Sequence, residues 1–164
     1  MGLIIVGFSG VGKTYLAKNC KKFTKHSIIE IDESVYHYYV SGLINPSFPA
    51  NYVTAINQAK LQYDIVILPY SRATISSLTA AITDDFVIVY PVAISKDFYE
   101  KRYRSYITNE NKLRYYLSNF DSNIKCIENT LAYHKYRLTP KQYISSCIDT
   151  IYNKFANGGG KNAK

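Results

Sequence analysis

The sequence predicts an α/β fold built on a mostly parallel sheet of about five strands flanked by helices. Four short apolar runs, rich in β-branched residues, have the composition of strands buried on both faces. Stretches with helical spacing of apolar residues separate these runs, and such alternation is typical of a parallel sheet. With 164 residues, 47% of them hydrophobic, the chain suits one domain with a single core. We expect that domain to span residues 1–156 and residues 157–164 to form a disordered tail.

The strands are predicted where Val and Ile dominate a run of four to six residues. In chain order these runs are 3–6, 27–31, 64–68 and 86–90. The polar segment that begins at Asp32 ends the second run, and Pro91 ends the fourth because proline has no N–H for a strand ladder. A short fifth strand is predicted at 136–138.

Helices are predicted where apolar residues recur every three or four positions. The predicted helices are 16–23, 35–40, 51–61, 73–82, 95–107, 109–120 and 122–133. Pro46 and Pro49 exclude regular structure between the helices predicted at 35–40 and 51–61. Ser95 can cap the helix predicted at 95–107. The last helix is predicted to begin at Thr139, where a capping-box pattern coincides with proline at the first helical position, and to run to Phe155.

The loop between the first strand and the first helix carries the most specific motif of the chain. Residues 7–14 read Gly-Phe-Ser-Gly-Val-Gly-Lys-Thr and fit G-x-x-x-x-G-K-[ST], the phosphate-binding P-loop. Glycines let the backbone curl so that its amides point at phosphate oxygens, and the following helix adds its positive N-terminus. Lys13 is expected to contact the terminal phosphates and the Thr14 hydroxyl to hold Mg²⁺. The residues assigned to ATP phosphates are Gly7, Ser9, Gly10, Val11, Gly12, Lys13 and Thr14.

Polar residues also follow the other predicted strands. In open parallel sheets, ligands bind beyond the carboxyl ends of the strands. Asp32 and Ser34 follow the second strand, and Arg72 follows the third. These side chains are therefore expected to meet a phosphate, a metal ion or a sugar. The alternatives are that Asp32 or Ser34 caps the next helix and that Arg72 is a surface residue at a helix start.

Composition and charge indicate which kinds of binding partner suit the chain. The net charge is +8, and ten of the twenty basic residues lie between Lys96 and Lys141. Such a face attracts nucleotides or nucleic acid, or is simply solvated. No apolar run is long enough to cross a membrane, and the chain has no signal-peptide pattern at its start. Three scattered cysteines are read as reduced core thiols, so a cytoplasmic protein is expected.

Several segments occur in an order that resembles a known family. The G-x-x-G-x-G-K-[ST] form of the loop is followed by Ile31-Asp32-Glu33-Ser34, Phe48-Pro49-Ala50-Asn51-Tyr52, Tyr63-Asp64-Ile65-Val66-Ile67 and Val89-Tyr90-Pro91. Lys96, Tyr99, Arg102 and Tyr103 then fit a basic lid helix. Over residues 1–150 the chain is similar to small phage-encoded P-loop kinases of nucleoside monophosphates and deoxynucleotides.

The resemblance implies transfer of the γ-phosphoryl group from Mg·ATP to a nucleoside monophosphate within the P-loop NTPase fold. A lid segment at about 95–133 would close over the nucleotides. Arg72, Arg102 and Arg104 are expected on the acceptor phosphate and the transferring group, and Arg137 near the adenine. Asn51 and Tyr52 are candidates for base recognition, with cap and core as their alternatives. Asp32 is the candidate acid near Mg²⁺, beside Thr14.

Two features depart from the family pattern and leave other functions open. Ser105-Tyr106 stands where the family often has Arg-Gly, and Asp64 begins its strand instead of ending it. A P-loop kinase of a nucleoside, a polynucleotide end or a small-metabolite hydroxyl would use Asp32 as its base. A nucleotide-binding interaction module would use the basic stretch to contact nucleic acid or a host protein. Small nucleotides are favoured as partners over nucleic acid or membrane, and homodimerisation stays open.

Overall fold

Five parallel strands form one sheet at the centre of the protein. The computed structural model describes residues 1–81, 86–130 and 134–156. The strands are β1 (Leu3–Gly7), β2 (Ile28–Glu30), β3 (Ile65–Pro69), β4 (Phe86–Pro91) and β5 (His134–Leu138). Their order across the sheet is β2-β3-β1-β4-β5, and every neighbouring pair is parallel. The predicted α/β fold with a five-stranded sheet is confirmed.

Seven helices accompany these strands within the described ranges. They are α1 (Lys13–Lys18), α2 (Ser34–His37), α3 (Ala50–Gln62), α4 (Arg72–Ala81), α5 (Lys96–Tyr106), α6 (Glu110–Asn129) and α7 (Ile148–Phe155). Short 3₁₀ turns occur at Cys20–Lys22, Ala93–Ser95 and Ile144–Ser146. In the described part of the chain, no helix is both long and apolar enough to span a membrane.

The core is built around the three central strands. All residues of β1 and β4 are buried, as are the first four of β3, because helices cover both faces of the sheet. Each fully buried Ile or Val in this layer contributes about 1.5–3 kcal/mol of transfer free energy. Asp64 immediately precedes β3, and its carboxylate accepts hydrogen bonds from Ser27, which immediately precedes β2. The bond from the Ser27 amide is 2.8 Å long and the bond from its hydroxyl 2.9 Å. Asp64 therefore lies at the end of the sheet away from the P-loop.

The strand order places the site. From central β1 the chain crosses to edge strand β2, returns through β3 beside β1, and continues on the other side with β4 and β5. The connections therefore reverse direction at β1, where a crevice opens beyond the strand ends. The P-loop follows β1 directly, and the segments 31–34 and 70–72 follow β2 and β3. All three segments consequently share one edge of the sheet.

Several helix predictions were wrong in extent. The helix predicted at 16–23 is observed as α1, which ends at Lys18 and is followed by the 3₁₀ turn at Cys20–Lys22. The helix predicted at 35–40 ends at His37, because Tyr38 is extended and forms a bridge with Ile44. The two helices predicted at 109–120 and 122–133 are one helix, α6, over its described length. The Asn109 side chain caps it by accepting from the Lys112 amide at 3.0 Å, and nothing at positions 121 and 122 interrupts it.

The predicted start of the last helix was also wrong. The Gln142 side chain does accept a bond from the Thr139 amide at 3.0 Å, as a capping box requires. Lys141, however, has a φ of 67°, in the left-handed region, so a helix cannot continue through it. The segment makes a turn, and α7 begins only at Ile148. The predicted tail at 157–164, Ile82 and the predicted helix end at 131–133 lie outside the described residues.

The cysteines agree with the prediction only in part. Cys20, Cys126 and Cys147 are free thiols. Cys147 is buried and Cys20 is half-buried, whereas Cys126 is exposed on α6, which contradicts its expected place in the core.

Candidate active site

The P-loop adopts a conformation that only its glycines permit. Gly10 and Gly12 have φ values of 82° and 93°, in the left-handed region that L side chains rarely occupy. Gly7 is needed for a different reason, because a Cβ there would lie 2.6 Å from the Lys13 side chain. Lys13 folds back over Gly7 and donates from Nζ to the Phe8 carbonyl oxygen at 3.0 Å. The Lys13 side chain is therefore held against the loop by a hydrogen bond within the loop itself.

Two cavities lie beside the P-loop. The first cavity, as we call it, has a volume of about 460 Å³ and adjoins the P-loop and the start of α1. Arg102, Tyr106 and Tyr143 form its other wall. Among the described residues, no hydrogen bond engages the backbone amides of Ser9, Gly10 or Gly12. Free amides next to a helix N-terminus form an anion-binding cradle, so this cavity has the chemistry to hold a polyphosphate.

Lys13 has an altered basicity. Burial lowers its pKa from 10.5 to about 8, against the opposing influence of the Glu30 and Asp32 carboxylates. The ammonium group is thus a partly desolvated cation beside two carboxylates. Such a cation interacts with a phosphate more strongly than a lysine in open solvent does.

Two oxygen-bearing side chains beside Lys13 have the donor chemistry that Mg²⁺ prefers. The Thr14 hydroxyl donates to Glu30 Oε1 at 3.1 Å, so a carboxylate and an alcohol oxygen lie side by side, and Thr14 lines the first cavity. This pair fits a metal that takes one or two protein ligands together with substrate phosphates. No cluster of three or more His, Cys, Asp or Glu side chains suited to a metal occurs in the described ranges.

Asp32, the acid predicted for that role, makes local contacts instead. Its Oδ1 accepts bonds from the Ser34 amide at 3.0 Å and the Ser34 hydroxyl at 2.9 Å, which opens α2. Asp32 still acts on Lys13 through its charge. Glu30, which sequence reasoning missed, is the carboxylate in contact with Thr14. A single charged residue inside the otherwise apolar run 27–31 was the signal that could have identified it.

The second cavity has about 490 Å³ and meets the first at Ser9, which lines both. Glu33, Ser71 and Arg72 lie on one side of it. The other side comes from α6, with Tyr115, Tyr116, Asn119, Asn123 and Cys126. A cation, a carboxylate, amides and aromatic rings therefore surround a space of ligand size.

The Glu33 carboxylate belongs to a network of polar contacts at the wall of this cavity. One carboxylate oxygen, Oε2, accepts bonds from the Ser71 hydroxyl and, at 3.0 Å, from the Thr74 hydroxyl. Oε1 lies 3.6 Å from His37 Nδ1. The Tyr52 hydroxyl is 3.4 Å from Thr74 Oγ1 and extends the network into the core. Sequence reasoning named the residues on either side of Glu33 but not Glu33 itself.

The predicted arginines have different surroundings. Arg72 is exposed at the start of α4 and lines the second cavity. Arg102 is buried, and its guanidinium donates to the Gly10 carbonyl at 2.8 Å and the Gln142 carbonyl at 3.3 Å. Arg104 pairs with Glu100 at 2.9 Å and does not line either cavity described here.

Two further predictions for direct ligand contact do not agree with the structure, and a third is not tested by it. Arg137, in β5, pairs with Glu128 at 3.0 Å and does not line the first cavity, and its assignment to adenine stays a prediction. Tyr52 is completely buried, which leaves no surface for a base. The Asn51 side chain, in the first turn of α3, donates to the Tyr36 carbonyl at 3.0 Å and accepts from the Tyr52 amide at 2.8 Å, so it is held by local contacts.

Three solved structures share this fold. A gluconokinase from Sinorhizobium meliloti 1021 aligns with a TM-score of 0.52 and 12% identity, over 95% of this chain and 91% of that one. A sugar kinase from Janibacter sp. HTCC2649 aligns with a TM-score of 0.54 and 13% identity, over 99% and 98%. An uncharacterised protein from Eubacterium ventriosum ATCC 27560 aligns with a TM-score of 0.51 and 13% identity, over 95% and 98%.

These alignments and the loop geometry define the class: the chain has the fold of P-loop kinases. No protein-family model matches the sequence, and no curated protein matches it.

Proposed function

We propose that this protein transfers the γ-phosphoryl group of Mg·ATP to a nucleoside monophosphate. The observation that carries the proposal is the pair of cavities that meet at Ser9. One is bordered by free P-loop amides and Lys13, and the other by Arg72 and aromatic and amide side chains. A donor and an acceptor held in these cavities would face each other across the end of the loop.

The second cavity suits a nucleotide because its two kinds of wall match the two ends of such a ligand. Arg72 offers a fork of donors that can bind a phosphate through two hydrogen bonds. Tyr115 can stack on a base, and the amides of Asn119 and Asn123 can pair with base edges. The phosphate would then lie toward Ser9 and the donor.

The chemistry asks for charge neutralisation more than for proton transfer. An acceptor phosphate is already ionised near neutral pH, so the obstacle is bringing two anions together. Two like charges 4 Å apart repel by about 4 kcal/mol at an effective dielectric of 20. Lys13 and the loop amides hold the donor phosphates, and Arg72 orients the acceptor. A magnesium ion held by Thr14 and Glu30 would add positive charge between the phosphates.

A second candidate keeps the donor and changes the acceptor to a hydroxyl group. The observation in its favour is Glu33, a carboxylate at the wall of the acceptor cavity that could take a hydroxyl proton. Asp32, the base predicted for this reaction, makes its hydrogen bonds to Ser34. Two of the structural neighbours are named as kinases of sugars or gluconate.

An acceptor panel separates the two candidates. Purified protein is incubated with labelled Mg·ATP and, separately, ribo- and deoxynucleoside monophosphates, nucleosides, sugars and gluconate, and products are resolved by chromatography. We expect transfer to at least one monophosphate. Transfer to hydroxyl acceptors alone would overturn the proposal in favour of the second candidate.

The substitution Glu33→Gln sharpens this comparison, because the amide oxygen can still accept from Ser71 and Thr74. With a monophosphate acceptor, we expect kcat to stay within about tenfold of wild type, since no proton has to be removed. Loss of a general base would lower kcat by about 10²–10⁴-fold. A fall of that size with the preferred acceptor would indicate hydroxyl chemistry.

A further inference from the structure

Four consecutive carbonyl groups of the P-loop receive hydrogen bonds from side chains or from a neighbouring segment. The Phe8 carbonyl accepts from Lys13 Nζ at 3.0 Å, and the Ser9 carbonyl from the Tyr103 hydroxyl at 3.0 Å. The Gly10 carbonyl accepts from Arg102 at 2.8 Å, and the Val11 carbonyl from the Ile144 amide at 3.0 Å. The loop is therefore held from behind by α5 and by the segment 142–144.

This arrangement determines where the loop amides point. Within each planar trans peptide unit, the C=O of one residue and the N–H of the next point in opposite directions, so a bond that fixes a carbonyl also fixes the amide that follows it. The amides of Ser9 and Gly10 have no partner in the described residues, and both residues line the first cavity. The hydrogen bonds to the carbonyl groups of residues 8–11 thus orient the loop amides toward the first cavity.

Packing strengthens the same contact. A Cβ at Gly10 would lie 2.9 Å from the Tyr103 ring and 3.1 Å from the Tyr99 ring, so α5 rests directly on the loop. The Arg102 guanidinium stacks on Tyr143, with its carbon 3.5 Å from the ring centre. Arg102 also donates to the Gln142 carbonyl at 3.3 Å, and so joins the loop, α5 and the turn before α7.

We propose that Arg102 and Tyr103 are positioning residues that hold the P-loop in its phosphate-binding shape, an inference that rests on the proposed function of the loop. The sequence predicted Arg102 as a phosphate contact from a lid. In this proposal Arg102 stays on the Gly10 carbonyl and acts on phosphate only through the loop. A movement of the whole guanidinium away from the loop, as in a mobile lid, would leave two carbonyl oxygens unpaired.

The test compares Tyr103→Phe with Tyr99→Phe. Both side chains are buried on α5 and both rings touch Gly10, but only the Tyr103 hydroxyl bonds to the loop in the described part of the chain. Amide hydrogen exchange is measured in the free protein at single-residue resolution for the Val11 amide, which donates to the Phe8 carbonyl within the loop at 3.4 Å, and for the strands β1 and β4. Affinity for Mg·ATP is measured by calorimetry.

We expect Tyr103→Phe to speed exchange in the loop and to weaken Mg·ATP binding, each by about three- to tenfold, the worth of one hydrogen bond. Exchange in β4 should not change, because the effect is local to the loop. Tyr99→Phe should match wild type in all three measurements. Equal behaviour of the two variants, or an equal rise in exchange in loop and strands, would overturn the proposal.

Failure of the proposed function looks different. Wild-type protein that binds no Mg·ATP, or binds it without transfer, would contradict that function while leaving the exchange comparison valid. If Tyr103→Phe does not fold, the comparison is repeated with Arg102→Lys, which can reach only one of the two carbonyls, against Lys101→Arg on the exposed side of α5. Faster loop exchange in Arg102→Lys alone is expected, and its absence overturns the proposal.

Discussion

Lys13 connects the geometry of the site with a measurable dependence on pH. Burial lowers its pKa to about 8, so in the free protein the ammonium group loses its proton in mildly alkaline solution. Bound phosphates favour the protonated form and raise this pKa again. Binding of Mg·ATP above pH 8 should therefore be accompanied by proton uptake.

We accordingly expect the Kd for Mg·ATP to rise above pH 8, approaching about tenfold per pH unit, and to be flat between pH 7 and 7.5. Calorimetry in two buffers with different ionisation enthalpies measures both the affinity and the protons taken up. Lys13→Arg is the control, because its guanidinium stays charged across this range. A wild-type Kd that does not change up to pH 9.5 would contradict the lowered pKa.

Glu30 and Asp32 carry the same charge close to Lys13, but only Glu30 contacts Thr14. We expect Glu30→Gln to raise the Mg²⁺ concentration needed for half-maximal transfer by about tenfold or more, the effect of losing a side chain that binds the metal or orients its ligand. Asp32→Asn removes an equal charge and should have a smaller effect. Titration of Mg²⁺ at fixed ATP measures both variants, and the reverse order would restore Asp32 as the metal-side acid.

For individual residues, the sequence predicts a functional role where that role depends on the local backbone. Gly10, Gly12 and Lys13 belong to one contiguous motif, and their conformations agree with it. Glu30 and Glu33 could not be predicted in the same way, because their partners Thr14, Ser71 and Thr74 are distant in sequence. Their roles depend on which strands become neighbours.

Among the elements, the turn before α7 shows how one residue overrides a helix signal. Lys141 has a left-handed backbone, with φ of 67°, in an exposed position. This turn leads into Tyr143, whose ring stacks on Arg102 beside the P-loop. The capping-box pattern is present, but it stabilises a turn here, since a helix through Lys141 would remove Tyr143 from that contact.

The free energy of unfolding should respond to substitution at this position. Lys141→Val should lower it by about 1–2 kcal/mol relative to Lys141→Gly, because a β-branched residue fits the left-handed region poorly. Urea unfolding followed by circular dichroism measures the difference. Equal stability of the two variants would mean that the turn does not hold this conformation in solution.

The remaining elements were predictable to different degrees. Four of the five strands follow directly from their apolar β-branched runs, whereas β5 contains no β-branched residue, and the observed bounds of all five differ by at most two residues from those predicted. The joining of two predicted helices into α6 was not predictable from spacing, because Asp121 and Ser122 resemble a helix boundary. In the structure Asp121 forms an ion pair with Lys96 of α5 from the exposed side of a continuous helix.

For the whole molecule, the structure shows which basic residues behind the net charge of +8 form ion pairs. Several residues of the basic stretch have acidic partners: Lys96 with Asp121, Arg104 with Glu100 and Arg137 with Glu128. Each exposed pair contributes little to stability, about 0–1 kcal/mol, but it neutralises part of the surface. The preference for a small nucleotide over nucleic acid as the partner stays a prediction.

The central claim is that the P-loop binds the phosphates of Mg·ATP, and calorimetry with purified protein tests it most directly. We expect wild-type protein to bind Mg·ATP at one site, and Lys13→Ala to remain folded while its affinity falls by at least about tenfold, since a charged contact contributes roughly 1.5–3 kcal/mol. Absence of binding by the wild type, or equal binding by wild type and Lys13→Ala, would contradict the account.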